Sequence, residues 1–287
     1  MAKVIVIHNY NGGVGKTTMA LALARHFSKE QKILLIDGDP QENVTQDLLK
    51  QRNHFHHHTA AEIKELISNQ LSSIDDILSF YDQHLKVTQE GRSLADVLVK
   101  PQMINDAITP ITEHLDLLPA SGELLDVESL ISRNGTMRQD ILMQRAFAFL
   151  QKSYDYIIID TSVMQNILLI NFLKIADMVL VPIKCDSYSE TGAIKVIKLL
   201  KAMKDDWDLD FELRLVITMV NRNKNDADTL EKMKLIFGPY LFQSVIRYCA
   251  KPHSNSNWYA RDIANEKSKV AEDYLSLLKE IRKLMEV

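Results

Sequence analysis

The stretch from residue 4 to residue 30 constrains this chain most. A short apolar run, Val4-Ile5-Val6-Ile7, leads into Asn11-Gly12-Gly13-Val14-Gly15-Lys16-Thr17-Thr18. A stretch with apolar residues at Leu21, Ala24 and Phe27 follows. An apolar run without alternation reads as a strand covered on both faces, and the later stretch reads as a helix. A strand that passes through a glycine turn into a helix makes a phosphate cradle. Glycine lets backbone N–H groups turn inward, and the helix N-terminus adds its dipole and free donors. In such a cradle Lys16 reaches the β- and γ-phosphates and the Thr17 hydroxyl ligates Mg2+. The common spacing G-x-x-x-x-G-K-[ST] is not met, because Tyr10 stands where its first glycine belongs. Gly12, Gly13 and Gly15 take over. The alternative is a tight structural turn that happens to contain glycine and lysine.

Further apolar runs at Ile33–Ile36, Tyr156–Ile159 and Met178–Val181 have the same unalternating character, and Leu115–Leu118, Leu213–Met219 and Phe242–Ile246 extend the set. Helical patterns fall between them at Thr17–Glu30, Met137–Lys152, Glu190–Lys204, Asp226–Phe237 and Ser268–Glu286. Strands alternating with helices predict an α/β fold, a mostly parallel twisted sheet with helices on both faces. From about Gln51 to Gly91 no buried strand is legible. Ile63, Leu66, Ile67, Leu71, Ile74, Ile77, Leu78 and Tyr81 recur there at helical spacing, which predicts a helical insertion on the surface of one domain spanning 1–287.

The chain has 287 residues, 46% of them hydrophobic, which is enough for one large core. Its net charge of −4 argues against a globally basic nucleic-acid binder but leaves room for a local patch. Two distant cysteines, Cys185 and Cys249, fit neither a disulfide scaffold nor a zinc ribbon nor an iron–sulfur cluster. No apolar run approaches the ~18 residues of a membrane span, so a soluble cytoplasmic protein is expected. His54, His56, His57 and His58 are spaced closely enough to take up a metal, although a polar connector explains them as well.

The glycine turn resembles the deviant Walker A loop of the ParA/MinD superfamily, and further segments match that family in order. Asp37-Gly38-Asp39-Pro40-Gln41-Glu42-Asn43-Val44-Thr45 resembles its D-x-D-P-Q-x-N-x-T motif. Tyr154 through Thr161 resembles its Walker B strand, Ala176 through Pro182 the strand after it, and Leu117-Leu118-Pro119-Ala120-Ser121 a further ParA segment. The resemblance covers most of the chain outside about 51–91, and the Asp-Pro-Gln form is nearer ParA partition proteins than MinD. It implies a P-loop ATPase that binds ATP and Mg2+ and dimerises on ATP. It also implies nonspecific DNA binding and hydrolysis stimulated by a ParB-like centromere-binding protein, with no membrane attachment. On this reading Asp160 holds Mg2+, partly through water, Asp37 supports the metal shell, and Asp39 orients the attacking water. Asn221 matches the position that reads adenine, although an ordinary strand-end Asn fits equally.

Three positions depart from the family. Asn11 replaces the signature lysine that reaches across a dimer to the partner's nucleotide. An uncharged amide there leaves the repulsion between two facing triphosphates uncompensated, so slow or absent intrinsic hydrolysis is expected. Ser162-Val163 stand where Pro-Pro is common, and the Arg247 region replaces a proline that packs near the base. Candidate DNA contacts are Arg222, Lys224, Lys251, Arg261, Lys267 and Lys269, with Trp258 and Tyr259 nearby. Lys195, Lys198, Lys201 and Lys204 form a second set on one helix. A solvated helix face explains the second set equally. The amphipathic tail, with Leu277, Leu278 and Ile281, is expected to dock on the sheet. Besides partition, an ATP-binding regulator or scaffold in conjugation, secretion or polysaccharide export that does not cycle remains open. An ATP-dependent ligase related to dethiobiotin synthetase would need a substrate pocket at the strand C-termini, and the sequence offers no constellation for one.

Overall fold

A computed structural model describes residues 2–53, 60–67, 73–84, 91–132, 138–221, 223–249 and 268–285. The N-terminal half runs β1 (Lys3–Ile7), α1 (Lys16–Phe27), β2 (Ile33–Gly38), α2 (Asn43–Arg52), α3 (Ala60–Leu66), α4 (Ile74–His84), α5 (Leu94–Val99), α6 (Ile104–Ala107), β3 (Thr109–Pro110), β4 (Leu115–Leu118) and α7 (Val127–Ser132). The C-terminal half runs α8 (Leu142–Ala148), β5 (Tyr156–Thr161), α9 (Ile167–Leu173), β6 (Met178–Lys184), α10 (Ser189–Trp207), β7 (Glu212–Val220), α11 (Lys224–Phe237), β8 (Leu241–Arg247) and α12 (Lys269–Met285).

The eight strands form one sheet in the order β3-β4-β2-β5-β1-β6-β7-β8. Every pairing is parallel except β3 with β4 at one edge. β1 lies between β5 and β6, so the loop after it opens at the C-terminal edge of the sheet's middle, where α/β folds bind ligands.

The strand sequences do not alternate because both faces are covered. Val4, Val6, Leu34, Ile36, Ile157 and Ile159 pack on one face with Leu94 of α5, Phe172 of α9 and Leu200 of α10. Ile5, Ile7, Ile33, Leu35 and Ile158 pack on the other with Leu21 and Phe27 of α1 and Leu277 and Ile281 of α12. The amphipathic tail therefore docks on the sheet.

Some elements differ from the sequence reading. The helix expected over Met137–Lys152 is a 3-10 turn, Gln139–Ile141, followed by α8; Met137 itself lies outside the described residues. Helices α5 and α9 and the two-residue β3 were not anticipated. Within 51–91 lie the end of α2, then α3 and α4, and no residue of α4 is buried. Leu71 and the four clustered histidines fall outside the described residues. Among the described residues, no helix is long and apolar enough to cross a membrane.

Candidate functional site

The loop after β1 is held from both sides. The buried Asn9 side chain donates to the Pro182 carbonyl at 2.8 Å and accepts from the Asn11 amide at 2.9 Å. Val14 is buried, and its carbonyl accepts from Thr218 Oγ1 of β7 at 2.9 Å. Gly13 and Gly15 adopt φ of 70° and 92°, the left-handed region where a Cβ is strained. Gly15 is also the N-cap of α1 and offers no side chain to its first turn. The N–H groups at the start of α1 are thereby left for an anion, as the helix dipole favours. Lys16 Nζ lies 3.2 Å from the Asn11 carbonyl. Burial lowers the Lys16 pKa, while Asp160 and Asp39 pull it back up.

The acidic residues approach from β2 and β5. Asp160 is fully buried, and its Oδ2 accepts from Thr17 Oγ1 at 2.7 Å. Its Oδ1 has no hydrogen-bond partner. Burial first, then the charge of Asp37, lifts the Asp160 pKa to about 8. A buried carboxylate oxygen without a donor is expensive unless a cation answers it. A hydroxyl and a carboxylate are also the oxygen donors that Mg2+ takes, usually together with substrate phosphates. Among the described residues no group of three or more His, Cys, Asp or Glu side chains is arranged to hold a metal alone. The donor set thus fits a magnesium ion that arrives with phosphates.

Asp37 is differently employed. Its Oδ2 accepts from the Thr45 amide at 2.8 Å and the Thr45 hydroxyl at 2.7 Å, and its Oδ1 accepts from the Asp39 amide at 3.1 Å. The Thr45 hydroxyl in turn accepts from the Ala120 amide at 3.0 Å. Asp37 therefore ties the start of α2 to the ends of β2 and β4, and burial lifts its pKa to about 6. Asp39 Oδ1 accepts from the Gln41 amide at 2.9 Å, and the residue lines the cavity in front of the glycine loop.

That cavity holds about 740 Å3. It is lined by Gly12, Gly13, Gly15, Lys16, Thr17 and Thr18 together with Asp39 and Val163. Met219, Arg247, Tyr248, Cys249, Val270 and Tyr274, from β7, the end of β8 and α12, complete the lining, with Met219 beside Gly15. Met219 takes φ of 58° at a break in the β7–β8 register, a strained conformation of the kind that gathers at functional sites. Arg247 lines the wall with its guanidinium paired to Asp273, Nε to Oδ2 at 2.8 Å. Nothing in the local sequence marks Thr218, Met219 or Tyr274 as site residues. They arrive through the sheet order alone.

Asn221 does not line the cavity. Its amide N–H donates to Asp226 Oδ2 at 2.6 Å, and its side chain lies 3.4 Å from the same oxygen. Asn11 is exposed beside Gly192 at the start of α10. Val163 and Met164, just after β5, are exposed apolar residues at 45% and 41%, and Val163 lines the cavity. Of the candidate DNA contacts, Lys224 and Lys269 are exposed at the starts of α11 and α12. Arg222, Lys251, Arg261, Lys267, Trp258 and Tyr259 lie outside the described residues. Lys195 and Lys198 are exposed, whereas Lys201 pairs with Asp205 at 2.6 Å and Lys204 donates to the Phe211 carbonyl at 2.9 Å.

A parallel sheet whose first strand delivers Gly-Gly-Val-Gly-Lys-Thr-Thr to a cleft opposite a buried aspartate defines a P-loop nucleoside-triphosphatase fold. A family model described as "AAA domain" matches residues 2–213. The chain belongs to that family and is a ParA/MinD-type ATPase within it. It is 28% identical over 286 residues to the sporulation initiation inhibitor protein Soj of Bacillus subtilis (strain 168), covering 98% of each chain. It is 27% identical over 292 residues to the chromosome partitioning protein ParA of Myxococcus xanthus (strain DK1622), covering 99% of this chain and 89% of that one. A crystal structure of a plasmid partition protein from Borrelia burgdorferi B31 bound to AMPPNP shares the fold, with a TM-score of 0.73, 21% identity and 99% of each chain covered.

Proposed function

We propose that this chain is a ParA-like partition ATPase, with residues 1–287 acting as one domain that carries a helical insertion at about 51–91. It binds Mg·ATP, dimerises on it and holds nonspecific DNA as a dimer in the cytoplasm, associated with the nucleoid. A centromere-binding partner then stimulates hydrolysis and release. The observation that carries the reading is Asp160: a buried carboxylate with one bare oxygen, bonded to Thr17, which lines the cavity with Lys16.

In this reading the loop amides of Asn11 to Thr18 and the Lys16 ammonium grip the triphosphate. Thr17 and Asp160 hold magnesium, which neutralises charge between the β- and γ-phosphates when bound. Asp37 steadies the metal shell from behind, through its hold on α2 and its closeness to Asp160. Asp39, an acid that lines the cavity beside the glycine loop, orients the attacking water. The base packs among the Tyr248 and Tyr274 part of the lining, with Asn221 outside direct contact. Lys224 and Lys269, together with Arg222, Lys251, Arg261 and Lys267, supply DNA contacts.

The uncharged Asn11 supports a second reading, a nucleotide-binding regulator or scaffold that switches without cycling. The two readings separate in one experiment. DNA retention is measured with ATP, ADP and no nucleotide across a salt series, for wild type, Lys16→Ala and Asn11→Lys. Partition predicts ATP-dependent retention that falls steeply with salt. Lys16→Ala weakens Mg·ATP by at least about tenfold through loss of a charge-assisted contact and abolishes retention. Asn11→Lys raises turnover. Retention indifferent to nucleotide overturns the partition reading.

A further inference from the structure

His8 has no role in the site described above, yet its side chain is completely buried at the C-terminal end of β1. Its Nδ1 lies 2.9 Å from Thr161 Oγ1. The Thr161 hydroxyl has a single proton, which it places on the Ile7 carbonyl at 2.9 Å. Nδ1 therefore carries the hydrogen and donates, leaving Nε2 as a bare acceptor. Nε2 is buried without a partner. An aliphatic side chain would fill the same space without stranding a polar atom, so packing alone does not account for an imidazole here.

Thr161 follows Asp160 directly. Among the described residues, two side-chain links join the segment from β1 to the start of α1 with the end of β5. One is Thr17 to Asp160, and the other is His8 through Thr161 to Ile7. A divalent cation would take a lone pair of the Thr17 hydroxyl, whose proton can stay on Asp160. The His8–Thr161 link is a second side-chain tie, beside the β1–β5 backbone pairing in which Ile7 stands opposite Asp160, and it fixes the end of β5 against the phosphate loop. His8 does not line the cavity, so it has no direct hold on the nucleotide.

We propose that His8 is a positioning residue for magnesium: by clamping Thr161 against β1 it aims the Asp160 carboxylate, and so sets how strongly magnesium tightens nucleotide binding. The inference rests on the nucleotide-binding reading above and adds a residue that the Walker motifs do not contain. Outer-shell partners that orient a metal ligand commonly change metal affinity by about 10–100-fold when removed.

The test is calorimetric titration of AMPPNP with magnesium and with chelator, on wild type, His8→Ala, His8→Asn and Thr161→Val. With chelator all four bind alike, within about twofold. Magnesium tightens wild type, and His8→Ala and Thr161→Val lose about tenfold of that gain. His8→Asn keeps it, because the Asn amide nitrogen can take the place of Nδ1 and donate to Thr161. Should His8→Ala fail to fold, the contrast between His8→Asn and Thr161→Val decides. An undiminished magnesium gain in His8→Ala or Thr161→Val overturns the proposal. So does an equal loss with and without magnesium, which marks general damage to the fold. Wild type that binds no AMPPNP in either condition overturns the functional reading first, and the role of His8 with it.

Discussion

At the scale of single residues, the site is a place where ionisation works against folding. Asp160 and Asp37 stand opposite each other across the β2–β5 pair, both without solvent contact. Burial and mutual repulsion lift Asp160 to about 8, and burial lifts Asp37 to about 6. A carboxyl group whose pKa is raised by folding binds a proton that the unfolded chain has released. Its contribution is fully present below the unfolded value, near 4, and is lost as pH rises through the folded value. His8 acts in the opposite sense. Burial, then the charge of Lys16, holds it down to about 3, so its contribution fades as pH falls below about 6.5. Between about pH 6.5 and 8 Asp160 dominates. The nucleotide-free protein should lose stability across that window by on the order of 1 kcal/mol per pH unit. Thermal unfolding followed by circular dichroism checks this, and Asp160→Asn should flatten the profile. A wild-type profile already flat across the window contradicts the assignment.

At the scale of elements, the legible parts were those that carry their own signal. β1, β2, β5 and β6 read correctly because residues facing both ways are buried, which leaves unbroken Val/Ile/Leu runs. The sequence Ile-Leu-Leu-Ile-Asn-Phe-Leu of α9 opens on four consecutive apolar residues and is interrupted only by Asn171, and periodicity cannot tell so short a stretch from a strand. Asn166 decides the matter by accepting from the Leu168 and Leu169 amides as an N-cap. In the site, the glycine turn, Lys16, Thr17 and Asp160 carry local signals. Asn221 carries an ambiguous one, which fits an adenine contact or an ordinary strand-end Asn, and here its amide donates to Asp226 at the start of α11. The closeness of β2, β5 and α9 yields an element-scale prediction. A Cβ at Gly38 would lie 2.6 Å from Phe172 Cε2 and 2.8 Å from the Asp160 carbonyl oxygen. Gly38→Ala should cost about 1–3 kcal/mol in urea denaturation. Phe172→Leu in the same chain should recover part of that loss, since it removes the nearer atom. Independent, additive losses contradict this packing account.

At the scale of the whole molecule, α12 belongs to the core and to the cavity at once. Leu277 and Ile281 are fully buried against the sheet, while Val270 and Tyr274 line the cavity. Asp273 anchors Arg247, and Glu280 accepts from the Gln243 and Ser244 amides of β8, covering the edge of the sheet. Leu277→Ala should destabilise the protein by about 2–5 kcal/mol, read by chemical denaturation. It should also weaken nucleotide binding, although residue 277 is not among the cavity's lining residues, because it loosens the helix that forms one wall. Unchanged nucleotide affinity in a clearly destabilised variant separates the two roles and contradicts their coupling.

The cavity joins residues 12–18 to residues 270–274. The glycine loop is made well before α12, the helix that supplies part of its pocket. A chain folded only as far as β7 lacks that wall, so the full lining forms once α12 has docked.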